Sequence, residues 1–128
     1  MGYHILIVDD SQTMRKVIRK SVALSGFPVG ECWEAGDGRE ALALLREHPV
    51  DLILTDFNMP GMNGLEMIRE LKKEEKKAAI PVVMVTTQSN DWVVEEGKAL
   101  GIRGFIQKPF QPEAIRDLLK GLMEGRHE

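Results

Sequence analysis

The chain has 128 residues, of which 43% are hydrophobic and 29% are charged, and its formal net charge at pH 7 is −3. This length and composition are typical of one compact domain with its own core and exclude a disordered chain. No basic stripe is available for nucleic acid, and the longest aliphatic runs are too short to cross a bilayer. The chain shows no secretory signal pattern and has one cysteine, so we expect a cytoplasmic protein that binds neither nucleic acid nor membrane.

Short aliphatic runs without turn residues alternate with longer amphipathic segments along the chain. Such runs are typical of strands that are buried on both faces of a parallel sheet. Three such runs cover residues 5–8, 50–54 and 82–85, and two weaker strands are predicted at residues 29–34 and 104–107.

Four of the intervening segments have the apolar spacing of an amphipathic helix. A fifth, residues 91–100, predicts a weaker helix because Gly97 lies inside it and costs about 1 kcal/mol relative to alanine. Local mobility and plain inefficiency are both open explanations of that weakness. The apolar faces of the four clear helices are Met14, Val17, Ile18 and Val22; Ala41, Leu42 and Leu45; Leu65, Ile68 and Leu71; and Ile115, Leu118, Leu119 and Leu122.

This order of five β/α units predicts a doubly wound α/β domain with right-handed crossovers. We find no repeat, linker or low-complexity segment, and therefore expect residues 1–128 to form a single domain.

Polar side chains follow the predicted strands where each strand ends. Asp9 and Asp10 follow the first strand, Asp56 the third, Thr86 the fourth and Lys108 the fifth. Because ligands of open parallel sheets bind beyond the carboxyl ends of the strands, we expect these groups to meet at one edge. Three close carboxylates repel one another, and a hard divalent cation such as Mg²⁺, with Mn²⁺ as a substitute, would relieve that repulsion.

Each of these residues also has a purely structural interpretation. An aspartate pair after a strand often caps a helix, Asp56 could be a loop carboxylate, and Lys108 a solvated cation. Only their joint placement favours a site, in which a carboxylate attacks phosphorus to give an aspartyl phosphate.

Four stretches of the sequence resemble the receiver domains of two-component response regulators, and chemotaxis regulators of the CheY type in particular. They are residues 5–11 (ILIVDDS), 35–42 (AGDGREAL), 56–64 (DFNMPGMNG) and 108–110 (KPF). The resemblance implies a flavodoxin-like five-stranded sheet of order 2-1-3-4-5 with five helices. That order is known for flavodoxin and CheY themselves, and so comes from the resemblance and not from the sequence pattern.

The resemblance assigns roles to the residues at the sheet edge. Asp56 would be the phospho-acceptor, and Lys108 would hold the phosphoryl group. Asp10 and Asp56 would bind Mg²⁺ directly, Asp9 would bind it through water, and the backbone carbonyl of Asn58 would complete the protein ligands.

Two switch residues and one cis peptide bond follow from the same resemblance. Thr86 would move toward the phosphoryl oxygens and vacate space for Phe105, for which ordinary core packing is the alternative. Many relatives have tyrosine in place of Phe105, so the outward hydrogen bond of that side chain is not available here. The bond between Lys108 and Pro109 would be cis.

Several neighbouring residues invite narrower hypotheses. Asn58 and Gln88 match positions that tune phosphoryl lifetime, and Thr87 is expected to narrow access for small phosphoryl donors. Trp92 and Val93 open the weak helix, and either form a docking patch or pack beneath the preceding loop.

The implied function is a two-state switch whose output is binding, with self-phosphotransfer and autodephosphorylation as its limited catalysis. The implied partners are a sensor histidine kinase of the CheA type and a downstream protein on the face of the fourth helix, fifth strand and fifth helix, for which a flagellar motor switch component is one candidate. We expect a monomer; dimerisation on activation is left open.

Three alternatives remain at this point. The chain could be the receiver domain of a longer transcriptional or enzymatic regulator. An aspartate-nucleophile phosphatase of the haloacid dehalogenase type would require a second acid where Asn58 stands. A flavodoxin-like flavin carrier would require a phosphate loop in place of the acidic pair Asp9 and Asp10.

Overall fold

The structure is a computed structural model that describes residues 2–74, 77–87 and 90–125, with side chains described as far as Leu122. Strands and helices alternate through this part of the chain, where no helix is long and apolar enough to span a membrane. The elements are β1 Tyr3–Val8, α1 Gln12–Leu24, β2 Val29–Ala35, α2 Gly38–Glu47, β3 Leu52–Thr55, α3 Gly64–Lys72, β4 Val82–Thr86, α4 Asp91–Ala99, β5 Gly104–Gln107 and α5 Pro112–Gly125.

The strands form one parallel sheet in the order β2-β1-β3-β4-β5, which confirms the predicted fold class. Successive side chains of a strand point to opposite faces, so each aliphatic run contributes to two cores. In β1, Leu6 and Val8 join the core beneath α2, α3 and α4, whereas Ile5 and Ile7 join the core beneath α1 and α5. The helices therefore cover both faces and leave the carboxyl edge of the sheet accessible to loops.

β3 begins at Leu52, two residues later than the aliphatic run that predicted it. Val50 is buried but lies outside the strand. Asp51 joins β1 partly through its side chain, because its carboxylate accepts the backbone N–H of His4 at 2.8 Å. At its other end the strand extends one residue further than predicted, to Thr55, and so places the next residue at the sheet edge.

The apolar face of α1 differs from the prediction at one position. Ile18 and Val22 are buried and Met14 is half-buried, whereas Val17 is 44% exposed. Ser21 is buried instead of Val17. On the helix surface Ser21 lies one turn from Ile18 on the face that packs against the core, and Val17 lies at the margin of that face.

α4 forms as predicted, and the structure supplies a packing reason for its central glycine. A Cβ atom on Gly97 would lie 2.7 Å from Cζ of Phe105 and 2.8 Å from Cδ1 of Ile102. Gly97 thus allows α4 to approach β5 closely, a cause that the sequence alone could not distinguish from mobility or inefficiency.

Candidate functional site

The carboxyl ends of β1 and β3 bring three aspartates together at one edge of the sheet. Asp9 and Asp10 directly follow β1, and Asp56 directly follows β3. One carboxylate oxygen from each of the three lies within 4.8 Å of those of the other two. Asp9 and Asp56 are 1% and 8% exposed, whereas Asp10 is exposed to solvent. The acidic cluster therefore has two buried members and one that water can reach.

Lys108 joins this cluster from the end of β5. Its Nζ lies 2.7 Å from Oδ2 of Asp9 and 3.2 Å from Oδ2 of Asp56, and its side chain is 10% exposed. The backbone N–H of Lys108 donates to the carbonyl of Thr86 at 3.0 Å, and the following bond to Pro109 is cis. A single ammonium group thus lies against two of three carboxylates and balances only part of their charge.

Backbone N–H groups fix the orientation of the two buried carboxylates. Ser11 donates its N–H to Oδ1 of Asp9 at 2.9 Å, and Phe57 donates its N–H to Oδ1 of Asp56 at 2.7 Å. Hydrogen bonds to an ionised acceptor are stronger than neutral ones. Each buried carboxylate therefore has one oxygen held by the main chain and the other directed at Lys108.

The donor chemistry of the cluster fits a hydrated divalent cation. Mg²⁺ prefers oxygen ligands, takes one or two carboxylates and keeps several waters. Asp9, Asp10 and Asp56 supply the oxygens, and the exposure of Asp10 leaves room for water. Asn58 is exposed on the loop after Asp56, and its backbone carbonyl stays a predicted ligand.

The two residues predicted to switch lie on the neighbouring strands β4 and β5. Thr86 ends β4, is 3% exposed and pairs with Gln107 of β5. Phe105 is half-buried and packs against the core beneath α2, α3 and α4. This partial burial agrees in part with the alternative interpretation of Phe105 as an ordinary core residue. Its switching role stays a prediction.

Two of the residues predicted to tune the chemistry of Asp56 lie on loops at the same edge. Asn58 and Thr87 are exposed to solvent. Gln88 lies outside the described residues. The exposure of Asn58 and Thr87 is compatible with an influence on access to Asp56, and that influence stays a prediction.

Only one member of the predicted apolar pair at the start of α4 is exposed. Trp92 is 56% exposed, and its ring lies edge-on to that of Phe57 with 5.6 Å between the ring centroids. Val93 is fully buried in the core beneath α2, α3 and α4, so of the two interpretations left open for it packing holds and the docking patch does not. The helical turn places these adjacent residues on different faces of α4. The contact of Trp92 with Phe57, next to Asp56, was not foreseen.

A contact between Arg15 and the main chain of Asp9 at this edge was also not predicted from the sequence. Arg15, in the first turns of α1, donates from Nη1 to the backbone carbonyl of Asp9 at 2.6 Å. No spacing rule relates a helical arginine to a carbonyl six residues earlier, because the contact depends on how α1 leaves the loop.

The chain's cysteine does not belong to this edge of the sheet. Cys32 lies on β2 opposite Ile5, near the middle of β1. Burial raises the pKa of its thiol, an effect that Arg19 opposes and Glu34 reinforces. A raised pKa leaves less thiolate at neutral pH, so Cys32 is a poor nucleophile.

Fold and site together define a receiver-type architecture, and sequence comparison agrees. The profile of the response regulator receiver domain matches residues 5–120, and the chain belongs to that family. Receiver domains of this type are signalling switches that work with histidine kinases and downstream targets, and they bind Mg²⁺ at an acidic pocket.

Individual relatives place the chain near the CheY group. It is 36% identical over 121 residues to the chemotaxis protein CheY of Pseudomonas aeruginosa, covering 94% of this chain and 95% of that protein. The structure of Vibrio cholerae CheY4 matches with a TM-score of 0.81 and 35% identity, over 97% of this chain and 98% of that chain. The phosphate regulon transcriptional regulatory protein PhoB of Pseudomonas aeruginosa is 34% identical over 123 residues, which are 96% of this chain but 52% of that protein. These matches favour the signalling interpretation over the phosphatase and flavin-carrier alternatives.

Proposed function

We propose that this chain is a phospho-acceptor switch of a two-component system, in which Asp56 receives a phosphoryl group from a sensor histidine kinase in the presence of Mg²⁺. The observation that carries this proposal is the position of Lys108 between Asp9 and Asp56, beside a third carboxylate. A structural ion pair needs one carboxylate for one ammonium group. A cluster with excess negative charge is costly unless it serves to bind a cation and, with it, a phosphoryl group.

Asp56 is assigned as the nucleophile because it matches the phospho-acceptor position of the receiver family; Asp9 shares its contacts with the cluster and with Lys108. Its Oδ1 is held by the N–H of Phe57, so Oδ2 is the oxygen that attacks phosphorus. As the new O–P bond forms, the P–N bond of the donor phosphohistidine breaks, and its electron pair stays on the imidazole. Lys108 then pairs with a phosphoryl oxygen in place of the carboxylate.

Four residues would hold the cation in this proposal. Asp10 and Asp56 would be its direct carboxylate ligands, Asp9 would bind it through water, and Asn58 would contribute its backbone carbonyl. Bound Mg²⁺, or Mn²⁺ in its place, supplies positive charge for the phosphoryl oxygens during transfer.

The output of the switch is a change in partner binding. Thr86 turns toward the phosphoryl oxygens, and Phe105 occupies the space that Thr86 leaves. Because both residues lie on β4 and β5, their rearrangement changes the face formed by α4, β5 and α5 and so its affinity for a partner.

We further propose that residues 1–128 act as a single stand-alone receiver domain, monomeric before activation. Its kinase would be of the CheA type, and its downstream partner a flagellar motor switch component. The extensive coverage of CheY from Pseudomonas aeruginosa supports this reading. The similarity to half of PhoB supports the alternative of a receiver domain within a longer regulator.

Phosphorylation of Asp56 is tested with purified protein, a phosphorylated histidine kinase and Mg²⁺. We expect one acid-labile, hydroxylamine-sensitive phosphoryl group per chain, and none in Asp56→Asn, because the amide is not a nucleophile toward phosphorus. The readout is mass spectrometry of the intact protein. Labelling of Asp56→Asn to the level of the wild type would contradict the assignment.

The partner is tested by affinity chromatography with beryllofluoride, a mimic of the phosphoryl group, and Mg²⁺ on the wild-type protein. Asp56→Asn under the same conditions is the control. Selective binding of a purified motor switch component by the loaded wild type supports the chemotaxis assignment. Binding that is equal for both proteins overturns it.

A further inference from the structure

Arg15 connects the acidic edge of the sheet to the neighbouring strand β2. Its Nη1 donates to the backbone carbonyl of Asp9 at 2.6 Å, and its Nε donates to Oε1 of Glu34 at 3.1 Å. Its side chain is 17% exposed and that of Glu34 is 23% exposed, so the pair is largely shielded from solvent. Within the described residues, the hydrogen bonds of Arg15 therefore reach the main chain of the acidic cluster and none of its three carboxylates.

The carbonyl that Arg15 binds belongs to the peptide unit between Asp9 and Asp10. The N–H of Asp9 is fixed separately, by a 3.0 Å hydrogen bond to the carbonyl of Ala35 on β2. Because a peptide unit is planar, holding its oxygen also sets the direction in which the chain continues to the Cα of Asp10. Asp10 is the exposed acid of the cluster, so its backbone orientation is what keeps its carboxylate near the other two.

Glu34 holds the guanidinium of Arg15 in place. Its second oxygen, Oε2, accepts from Nη1 of Arg19 at 2.9 Å, so one carboxylate of β2 joins two arginines of α1. The planar guanidinium presents donors in a fixed geometry, so fixing Nε on Glu34 also fixes the direction of Nη1 toward Asp9. A lysine at position 15 has no such fork.

We propose that Arg15 is a positioning residue for divalent cation binding: through the carbonyl of Asp9 it holds Asp10 in the geometry that the cation requires. This inference rests on the proposed function, since it assumes that the acidic cluster binds Mg²⁺. Residues that orient metal ligands are commonly worth 10–100-fold in metal affinity.

The sign of the effect separates positioning from the alternatives. Arg15 carries a positive charge close to the cation site, so a purely electrostatic role predicts that its removal tightens Mg²⁺ binding. A purely structural role predicts a lower unfolding midpoint with unchanged affinity in the folded protein. Positioning predicts weaker binding by the folded protein.

The test measures the Mg²⁺ dissociation constant of the folded proteins by isothermal titration calorimetry, at constant ionic strength and well below the unfolding midpoint. We expect Arg15→Met to raise the Kd about 10-fold, and Arg15→Lys to raise it less, because an ammonium group can still reach one acceptor. The matched control is Arg19→Met, which removes the same charge and a contact to Glu34 but leaves the carbonyl of Asp9 bound. Its Kd is expected to stay within about twofold of the wild type.

Phosphorylation gives the second readout. The Mg²⁺ concentration for half-maximal phosphorylation should rise in Arg15→Met in parallel with the Kd, while the rate at saturating Mg²⁺ returns toward the wild type. The inference is overturned if Arg15→Met binds Mg²⁺ with the same affinity as Arg19→Met, or more tightly than the wild type. The proposed function stays intact in that case as long as the wild type binds Mg²⁺. Wild-type protein that binds no Mg²⁺ overturns both.

Discussion

Gly97 lies in the middle of α4, where helix propensity and packing act in opposite directions. Propensity alone predicts that Gly97→Ala stabilises the helix by about 1 kcal/mol. The added Cβ would, however, lie 2.7 Å from the ring of Phe105 and 2.8 Å from Ile102, and both neighbours would have to move. Overpacking of this kind costs about 1–3 kcal/mol, so we expect Gly97→Ala to lower the free energy of unfolding by about 1 kcal/mol. Urea denaturation measures the change.

Gly121 provides the matched control for this prediction. It also lies inside a helix, α5, but nothing is within 4 Å of a Cβ atom placed on it. Gly121→Ala should therefore show the propensity gain alone and raise the free energy of unfolding by about 1 kcal/mol. If Gly97→Ala instead raises the free energy of unfolding, the ring of Phe105 can move away from the added Cβ at little cost, and the close packing of α4 on β5 does not require glycine.

The first turn of α4 packs against the loop that carries Asp56. Trp92 packs edge-on against Phe57, whose N–H in turn holds Oδ1 of Asp56. A phosphoryl mimic bound at Asp56 should shift Phe57 and change the surroundings of the indole. We expect a change in tryptophan fluorescence when beryllofluoride and Mg²⁺ are added together, and little change with either alone.

The chain contains two tryptophans, which allows the source of that signal to be assigned. Trp33 lies on β2, where its ring stacks on that of His48 at 4.4 Å, away from the loop of Asp56. Trp92→Phe should therefore abolish the fluorescence change, and Trp33→Phe should retain it. A signal that survives in Trp92→Phe but not in Trp33→Phe would mean that the response reaches β2 and not α4.

The elements also show how far the sequence predicts the structure. Aliphatic runs located β1, β3 and β4, because strands buried on both faces leave a local signal, whereas the partly exposed β2 and β5 left a weaker one. The start of β3 lies two residues later than predicted, since the Asp51 carboxylate binds His4 in a contact that no local pattern contains. The strand order came from family resemblance alone. The acidic cluster was predictable because parallel strands end at one edge, whereas the contact of Arg15 with Asp9 depends on the tertiary path of α1.

The whole molecule has two opposed requirements at the carboxyl edge of the sheet. Strand ends must bring Asp9, Asp10 and Asp56 together to bind a cation, yet their mutual repulsion lowers the stability of the cation-free protein. Lys108 relieves only part of that repulsion, because it contacts two of the three. Stability and function are therefore coupled through the charge of this edge, and a single substitution should move them in opposite directions.

Asp10→Asn tests this coupling, because Asp10 is the exposed member and its side chain can change without opening the core. At a concentration about 100 times the dissociation constant, Mg²⁺ should stabilise the wild type by about 2.7 kcal/mol, a rise of several degrees in thermal midpoint. Asp10→Asn should unfold at a higher temperature than the wild type without Mg²⁺, since one of three like charges is gone, and should respond only weakly to Mg²⁺. Differential scanning calorimetry with and without Mg²⁺, in buffers of equal ionic strength, measures both effects. A metal-free midpoint below that of the wild type would show that Asp10 stabilises this edge and that carboxylate repulsion is not its dominant interaction.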